Sequence, residues 1–354
     1  MANMTPTNLL AGFAKVTDRL QKPEFRMPNT AAVSMAAIGD ALDTPMSQLR
    51  TREDQQTYFD WMVEKADEGA TGRTALHTGG RMDSQRSEIT WGQVVDTFSI
   101  SMKQNDNNSF TFEETFSNGV LNSIRKNLLK FDNAFLSLLK ADVTQVNAAN
   151  LGTRGSFNQT DFIFELANTE REYWPQIIEA VFADNNHNDE LILLADSIAF
   201  IDMMRSLNQG SSNDTNLWWQ FGNSKIIKTN KSLYSGYNGS VIAAPANMVA
   251  LFPWIPKQNR KPIDMEKAMS SEIGDFGQIE VPIFDGQGNQ VNSIPAAISI
   301  YSKRADTSTL NGNAQDVKTE VEISWDYAYM SAPLSNANES VVYAFGANSG
   351  GTTT

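Results

Sequence analysis

The chain has 354 residues, with 28 Lys+Arg against 41 Asp+Glu and a formal net charge of −13 at pH 7. That length corresponds to about two domains with an ample core. The charge argues against a protein whose main task is gripping nucleic acid, which needs basic footprints. There is no Cys, and His77 and His187 are the only histidines, so thiol chemistry, thiolate metal sites and sites built on several imidazoles are excluded. Charged residues make up 19%, below the roughly 25% of an ordinary globular domain. Low charge weakens repulsion between copies and suits a protein that packs against itself. After residue 165 the chain carries 12 basic against 21 acidic residues, so the excess acid is diffuse and C-terminal. No segment approaches the apolar run of a membrane span, and no membrane is expected among its partners.

Residues 1–87 read as an N-terminal arm with short helices. Leu9, Leu10, Phe13, Val16 and Leu20 recur at helical spacing, and Pro23 and Pro28 end that run. A second helix is expected over 47–66, with Tyr58, Trp61 and Met62 as its apolar stripe, followed by a loop from Gly69 to Arg86. Neither helix has a local partner, so the arm is expected to wrap over something else. Residues 88–112 read as a projecting β-hairpin. Phe98, Ile100 and Met102 alternate with polar residues, Asn105-Asp106-Asn107-Asn108 signals a turn, and Phe110 and Phe112 begin the return. Thr111-Phe112-Glu113-Glu114 then fits a capping box. From Phe116 through Val120, Ile124, Leu128, Phe131, Phe135 and Leu139 one apolar stripe runs on toward Gln145. At 1.5 Å per residue this spine is about 45 Å long.

Beyond the spine, helices and strands alternate. Tyr173 to Phe182 reads as a helix and Glu190 to Ala195 as a buried strand. Asp196 or Ser197 caps a helix carrying Ile198, Phe200, Ile201, Met204 and Leu207, stopped by Gly210. Ser224 to Thr229 is a strand, and Val241 to Pro256 is apolar and punctuated by proline. The last part is β: Ile279, Val281 and Ile283 alternate before the turn Asp285-Gly286-Gln287-Gly288-Asn289, and Ile298 to Tyr301 follows. Val317 to Tyr329 alternates without a break over about twice the length of an ordinary strand, and Val341 to Phe345 is the final strand.

The search for chemistry yields no catalytic, cofactor-binding or metal-binding residues. Asp184-Asn185-Asn186-His187-Asn188 resembles the start of a calcium loop, but Asp189 stands where Gly is needed and Ala195 where a bidentate Glu is needed. A polar helix-to-strand loop is the better account. Gly286 and Gly288 read as a turn, not a phosphate cradle. Trp218-Trp219-Gln220-Phe221 could stack on sugars or bases, although an aromatic cluster at a subunit contact is the simpler account. Glu113-Glu114 and Glu320/Glu322 are carboxylates of solvated faces. Arg50, Arg52, Arg73, Arg81 and Arg86 concentrate in the first third, where pairing with carboxylates between parts or subunits is favoured over nucleic-acid contact.

The order of these elements resembles the major capsid protein of tailed bacteriophages, the Johnson-type fold. The resemblance implies an α+β chain with an N-terminal arm (1–87), an extended-loop hairpin (88–112) and a peripheral domain of spine helix and long strands (111–164 with 271–354). An α/β axial domain (165–270) would be inserted in it. It implies a structural protein, not an enzyme, that forms the hexamers and pentamers of an icosahedral shell around the genome. Its location would be the virion, after assembly in the host cytoplasm. Portal, scaffold and decoration proteins would be its partners, with packaged dsDNA held only non-specifically. Some members cross-link a Lys of the extended loop to an Asn of a neighbour; Lys103 sits at the matching place, Asn336 or Asn338 lies in the C-terminal region, and no catalytic residue is carried over. An N-terminal scaffolding segment, which the family often removes, is expected to be retained. Two other readings stay open: a double jelly-roll capsid protein, and a carbohydrate-binding or hydrolytic protein using Trp218, Trp219 and Trp254.

Overall fold

A computed structural model describes residues 6–20, 27–38, 50–62, 84–101, 109–144, 152–185, 187, 189–210, 224–246, 248–270, 274–305, 316–331 and 341–348. The fold is α+β. The spine is helix α3 (Phe112–Ala141), preceded in the arm by α1 (Pro6–Leu20) and α2 (Ala31–Ile38). The capping box forms: the Glu114 amide donates to the Thr111 hydroxyl at 3.3 Å, and the Thr111 amide donates to the Glu114 carboxylate at 3.0 Å. The helix stops at Ala141, with Asp142 as its C-cap, slightly before the expected Gln145.

The apolar stripe of α3 is covered by a five-stranded antiparallel sheet. Its strands are β3 (Trp91–Ser101), β9 (Val249–Trp254), β10 (Asp275–Phe284), β11 (Gln290–Ala305) and β12 (Asp316–Ser331). The order is β10-β11-β12-β3, with β9 also paired to β12. The alternation of β12 is what seats the helix. Val321, Ile323 and Trp325 are buried toward α3, whereas Glu320 and Glu322 are exposed. Phe131 meets Trp325 and Tyr327 edge-on at 5.7 and 5.0 Å, and the buried Asn127 amide donates to the Ile323 carbonyl at 2.8 Å.

A second, mixed sheet has the order β4-β5-β13-β8-β6-β7. It joins β4 (Gly155–Asn158), β5 (Ile163–Leu166), β6 (Leu191–Ala195), β7 (Lys225–Lys228), β8 (Tyr237–Pro245) and β13 (Tyr343–Asn348). Helices α4 (Trp174–Asp184) and α5 (Ser197–Gly210) cover one face of it, over a core built on Trp174, Phe182 and Phe345. Its other face shares a core with the arm helices, the spine and the five-stranded sheet. A short helix, α6 (Met265–Ser270), precedes β10. The sheets cross the boundaries expected from sequence. β13 joins the strands of the middle of the chain, and β9 joins the strands of its end.

Three expectations are corrected. The helix expected over 47–66 is not formed: Thr57–Met62 is strand β1, paired antiparallel with β2 (Ser84–Ile89) from Thr57↔Ile89 to Met62↔Ser84. Alternation of Thr57, Phe59 and Trp61 with Tyr58, Asp60 and Met62 fits a two-residue period as well as Tyr58, Trp61 and Met62 fit a helical one, and pairing decides. The hairpin over 88–112 is replaced. β3 is a strand, but it pairs with β12 from Trp91↔Ala328 to Ser101↔Lys318; Phe110 lies in a bend and Phe112 opens the spine. The turn at 105–108 lies outside the described residues. The arm helices do find partners in their own chain. Phe13 packs on Phe116 at 5.1 Å, and Leu9 and Val16 are buried.

The turn between β10 and β11 shows two uses of glycine. Gly288 takes φ 91°, where other residues are strained, and has open space around it. At Gly286 a Cβ would collide with the Lys228 backbone carbonyl. Gly288→Ala is therefore expected to cost about 1 kcal/mol, whereas Gly286→Ala forces β7 and the turn apart and costs several times more. Urea midpoints of the two variants check the order, and equal midpoints would contradict the close approach.

Candidate functional site: the arm clasp and the exposed faces

After α2 the chain reappears on the opposite side of the five-stranded sheet, where Arg50 is buried. Its guanidinium lies between two indole rings, 4.6 Å from the Trp91 ring centre and 4.4 Å from that of Trp254. A desolvated guanidinium stacked on an indole gains about 2 kcal/mol. Its Nη1 donates to the Asp326 carboxylate at 2.8 Å, its Nη2 to the Glu53 carbonyl, and its Nε to the Arg52 carbonyl at 3.2 Å. The Trp254 indole returns a hydrogen bond to the Arg50 carbonyl at 2.8 Å, and the Trp91 indole donates to Thr57 Oγ1 at 2.7 Å. Burial pushes the Asp326 carboxyl above the ordinary range, more than Arg50 holds it down. This clasp fixes the stem of the β1–β2 ribbon. Further out the ribbon is exposed at Tyr58, Asp60, Ser84, Arg86 and Glu88, with Arg86 bound bidentately to Asp60 at 2.6 and 2.9 Å.

A second buried charge pins the arm on the spine side. Asp132 has no exposure; it accepts from the Val33 amide at 3.1 Å and pairs with Lys231 from the turn after β7. Desolvation raises its pKa against the pull of Lys231. In the second sheet, of the two caps expected for α5 it is Asp196 that serves, accepting from the amides of Ile198 and Ala199 at 3.0 and 2.9 Å and from the Ser240 amide at 2.7 Å. The buried side of α5 is Ala199 and Met203; Ile198, Ile201 and Met204 are exposed. The small Ala199 lets α5 approach Gly239 of β8, which turns the bulkier residues to solvent.

The other exposed face belongs to the five-stranded sheet. Thr97, Ser99, Ser299, Tyr301, Glu320 and Glu322 line an open cavity of about 530 Å³ there. Register places Glu280 on the same face, through Glu280↔Pro295 and the rungs that link β11 to β12.

The residues singled out from sequence scatter. Glu113 lies 3.8 Å from Lys15 and Glu114 caps the spine, so neither serves as an acid–base pair. Glu114 is held below the ordinary range by the Thr111 amide. Asn185 closes α4 by donating to the Val181 carbonyl at 2.8 Å, which favours the polar-loop account of 184–189. Trp254 is buried in the clasp, so it offers no face to a sugar. Arg50 and Arg86 pair with carboxylates as expected. His77, Arg73, Arg81, Lys103, Trp218, Trp219, Asn336 and Asn338 lie outside the described residues. The sequence reading missed Asp132, whose signal is an acid inside an apolar stripe, and Asp326, an acid beside two buried aromatic residues. Among the described residues no group of three or more His, Asp or Glu is placed to hold a metal ion, and no helix is long and apolar enough to cross a membrane.

No family model and no curated protein matches the chain. Among solved structures it is similar to one from Mycobacterium phage Che8, at 9% identity and a TM-score of 0.48, covering 86% of this chain and 89% of that one. It is similar to the capsid of cyanophage P-SCSP1u at 10% identity and a TM-score of 0.46, covering 85% and 86%. It is also similar to the capsid of Ralstonia phage GP4 at 8% identity and a TM-score of 0.47, covering 87% of each. The last two are phage capsids by description.

The clasp makes a double-variant prediction. Arg50→Met leaves Asp326 buried without its partner and is expected to cost about 3–5 kcal/mol. Arg50→Met with Asp326→Leu removes both charges and should recover most of that loss. Urea unfolding of the single and double variants checks it, and additive losses would show that the two residues do not act as a pair.

Proposed function

We propose that this chain is the major capsid protein of a tailed dsDNA bacteriophage, building hexamers and pentamers of an icosahedral shell. The observation that carries the reading is the β1–β2 ribbon, anchored at its stem by the Arg50 clasp and exposed beyond it. An isolated two-stranded ribbon is marginal in water, so a ribbon held this firmly at its root is suited to lie on another molecule. The apolar stripe of Ile198, Ile201 and Met204 on the α5 face supports the same reading, because contiguous exposed apolar residues mark contact surfaces.

In this reading the ribbon takes the part of the extended loop, in place of residues 88–112. The spine and the five-stranded sheet form the peripheral domain, and the six-stranded sheet with α4 and α5 forms the axial one. Portal, scaffold and decoration proteins are its further partners, the virion is its location, and assembly takes place in the host cytoplasm. The function is structural, and no residue is assigned a catalytic role. A double jelly-roll capsid would need two sandwiches of short strands, which the 16-residue β11 and β12 and the 30-residue α3 do not fit.

Negative-stain microscopy of the purified chain is expected to reveal closed shells or their capsomers; a monomer at every concentration would overturn the proposal. Replacing residues 60–86 by a short Gly-Ser turn keeps the clasp. That variant is expected to unfold at the wild-type urea midpoint yet fail to close shells, and normal shells would remove the ribbon from the assembly role.

A further inference from the structure

Helix α3 has an uneven charge pattern for a chain of net charge −13. Beyond its first turn, its solvent face carries Arg125, Lys126 and Lys130 and no exposed acid. Glu113 and Glu114 belong to the first turn, and Asp132 is buried. The three cations are loosely held. Arg125 has no ion pair among the described residues, Lys126 Nζ stands 3.9 Å from Asp96, and Lys130 Nζ donates to the Val95 carbonyl at 3.1 Å. Asn118, Asn122, Asn133 and Ser137 are exposed around them and supply neutral hydrogen-bonding groups. Leu129 and Leu138 are 39% and 38% exposed, ordinary for single surface leucines.

The opposite side of the same layer is acidic. Glu280, Glu320 and Glu322 are exposed on the face of the five-stranded sheet turned away from α3. Helix and sheet together thus form a layer whose spine face carries three exposed cations and whose sheet face carries Glu280, Glu320 and Glu322 against the half-buried Lys318. From Arg125 to Lys130 the helix rises about 7.5 Å, roughly two base-pair steps at 3.4 Å per step along a strand.

We propose that the Arg125–Lys126–Lys130 face of α3 contacts the phosphate backbone of double-stranded DNA and is the inner side of the shell wall. This rests on the capsid reading and deepens it by assigning the wall an inside and an outside. Three cations per copy bind weakly and without sequence preference, because phosphate contacts carry no base information. Repetition over many copies lets a wall line a duplex without gripping it, and the acidic side keeps DNA off the exterior.

Two measurements test it, and the first exploits the absence of cysteine. Asn133→Cys on the spine and Ser99→Cys on the sheet face are made separately. Intact DNA-filled particles are then exposed to a maleimide polymer too large to cross the wall. Ser99→Cys is expected to react and Asn133→Cys to stay protected until the particles are disrupted; the reverse pattern overturns the assignment. The second measurement does not need a shell, so it separates failure of this inference from failure of the capsid reading. With the unassembled chain and a short fluorescent duplex, three phosphate contacts predict an affinity loss of about 40-fold between 50 and 200 mM salt. Arg125→Gln/Lys126→Gln/Lys130→Gln should remove most of that salt dependence, whereas Glu320→Gln/Glu322→Gln should keep it. Absence of binding at 50 mM salt, or equal slopes in wild type and the triple Gln variant, overturns the proposal.

Discussion

Helix α2 has no polar side, and a helix without a polar side is stable only where neighbours cover it all round. Ala31, Ala32, Val33, Met35 and Ala36 are each buried to 2% exposure or less. Coverage comes from the spine and from strands of both sheets, all within one core. The slot also has to satisfy the free amides at the helix start. Asn29 Oδ1 accepts from the Ala31 amide at 2.9 Å, and Asp132 reaches in from the spine to accept from Val33. Thr30 exchanges hydrogen bonds with the Phe284 backbone of β10, donating at 2.7 Å and accepting at 3.0 Å. A charge so deep needs a counter-charge, which Lys231 supplies from the other sheet. One short arm segment therefore sets how the two sheets meet across the spine.

The same arm is fixed a second time, on the far side of the five-stranded sheet, by Arg50. Sheet and spine are held from both faces by one stretch of chain. A buried ion pair adds little net stability over an apolar filling; its consequence here is positional. The guanidinium fits only where Trp91, Trp254 and Asp326 converge, so the strands β3, β9 and β12 must be in register before it can dock. The ribbon inherits its direction from that point, because Thr57 and Trp91 are tied at the stem.

The parts of this fold that were legible in the sequence are those whose periodicity is local. The capping box at Thr111, the stripe from Phe116 to Leu139, the buried run Leu191–Ala195, the cap at Asp196 and the alternation of β12 are each read from one continuous segment. What failed depends on distant partners. β3 alternates plainly, yet its partner is β12, more than two hundred residues later, and nothing near Phe98 reveals that. β2 reads Ser84-Gln85-Arg86-Ser87-Glu88-Ile89, with no strand signature of its own, so nothing local decides between the helical and the two-residue period of residues 57–62. α2 lacks a period because every side is buried. Asp132 and Asp326 look like interruptions of apolar patterns, and only the folded chain brings Lys231 and Arg50 to them.

That dependence on distant partners bears on the order of events. The clasp is assembled from residues near 50, 91, 254 and 326, so it closes only after the last long strand has arrived. Non-local pairing of this kind is slow, because loop closure precedes the contacts that reward it. Until then the ribbon stem lacks its anchor, and a free two-stranded ribbon holds no fixed shape. The surface that the capsid proposal assigns to contacts between copies is thus unavailable while the chain is incomplete, when exposed strand edges are most prone to pair wrongly. The arm, by needing both sheets to form its slot and the finished β12 to form its clasp, makes completion of the subunit the condition for presenting the ribbon.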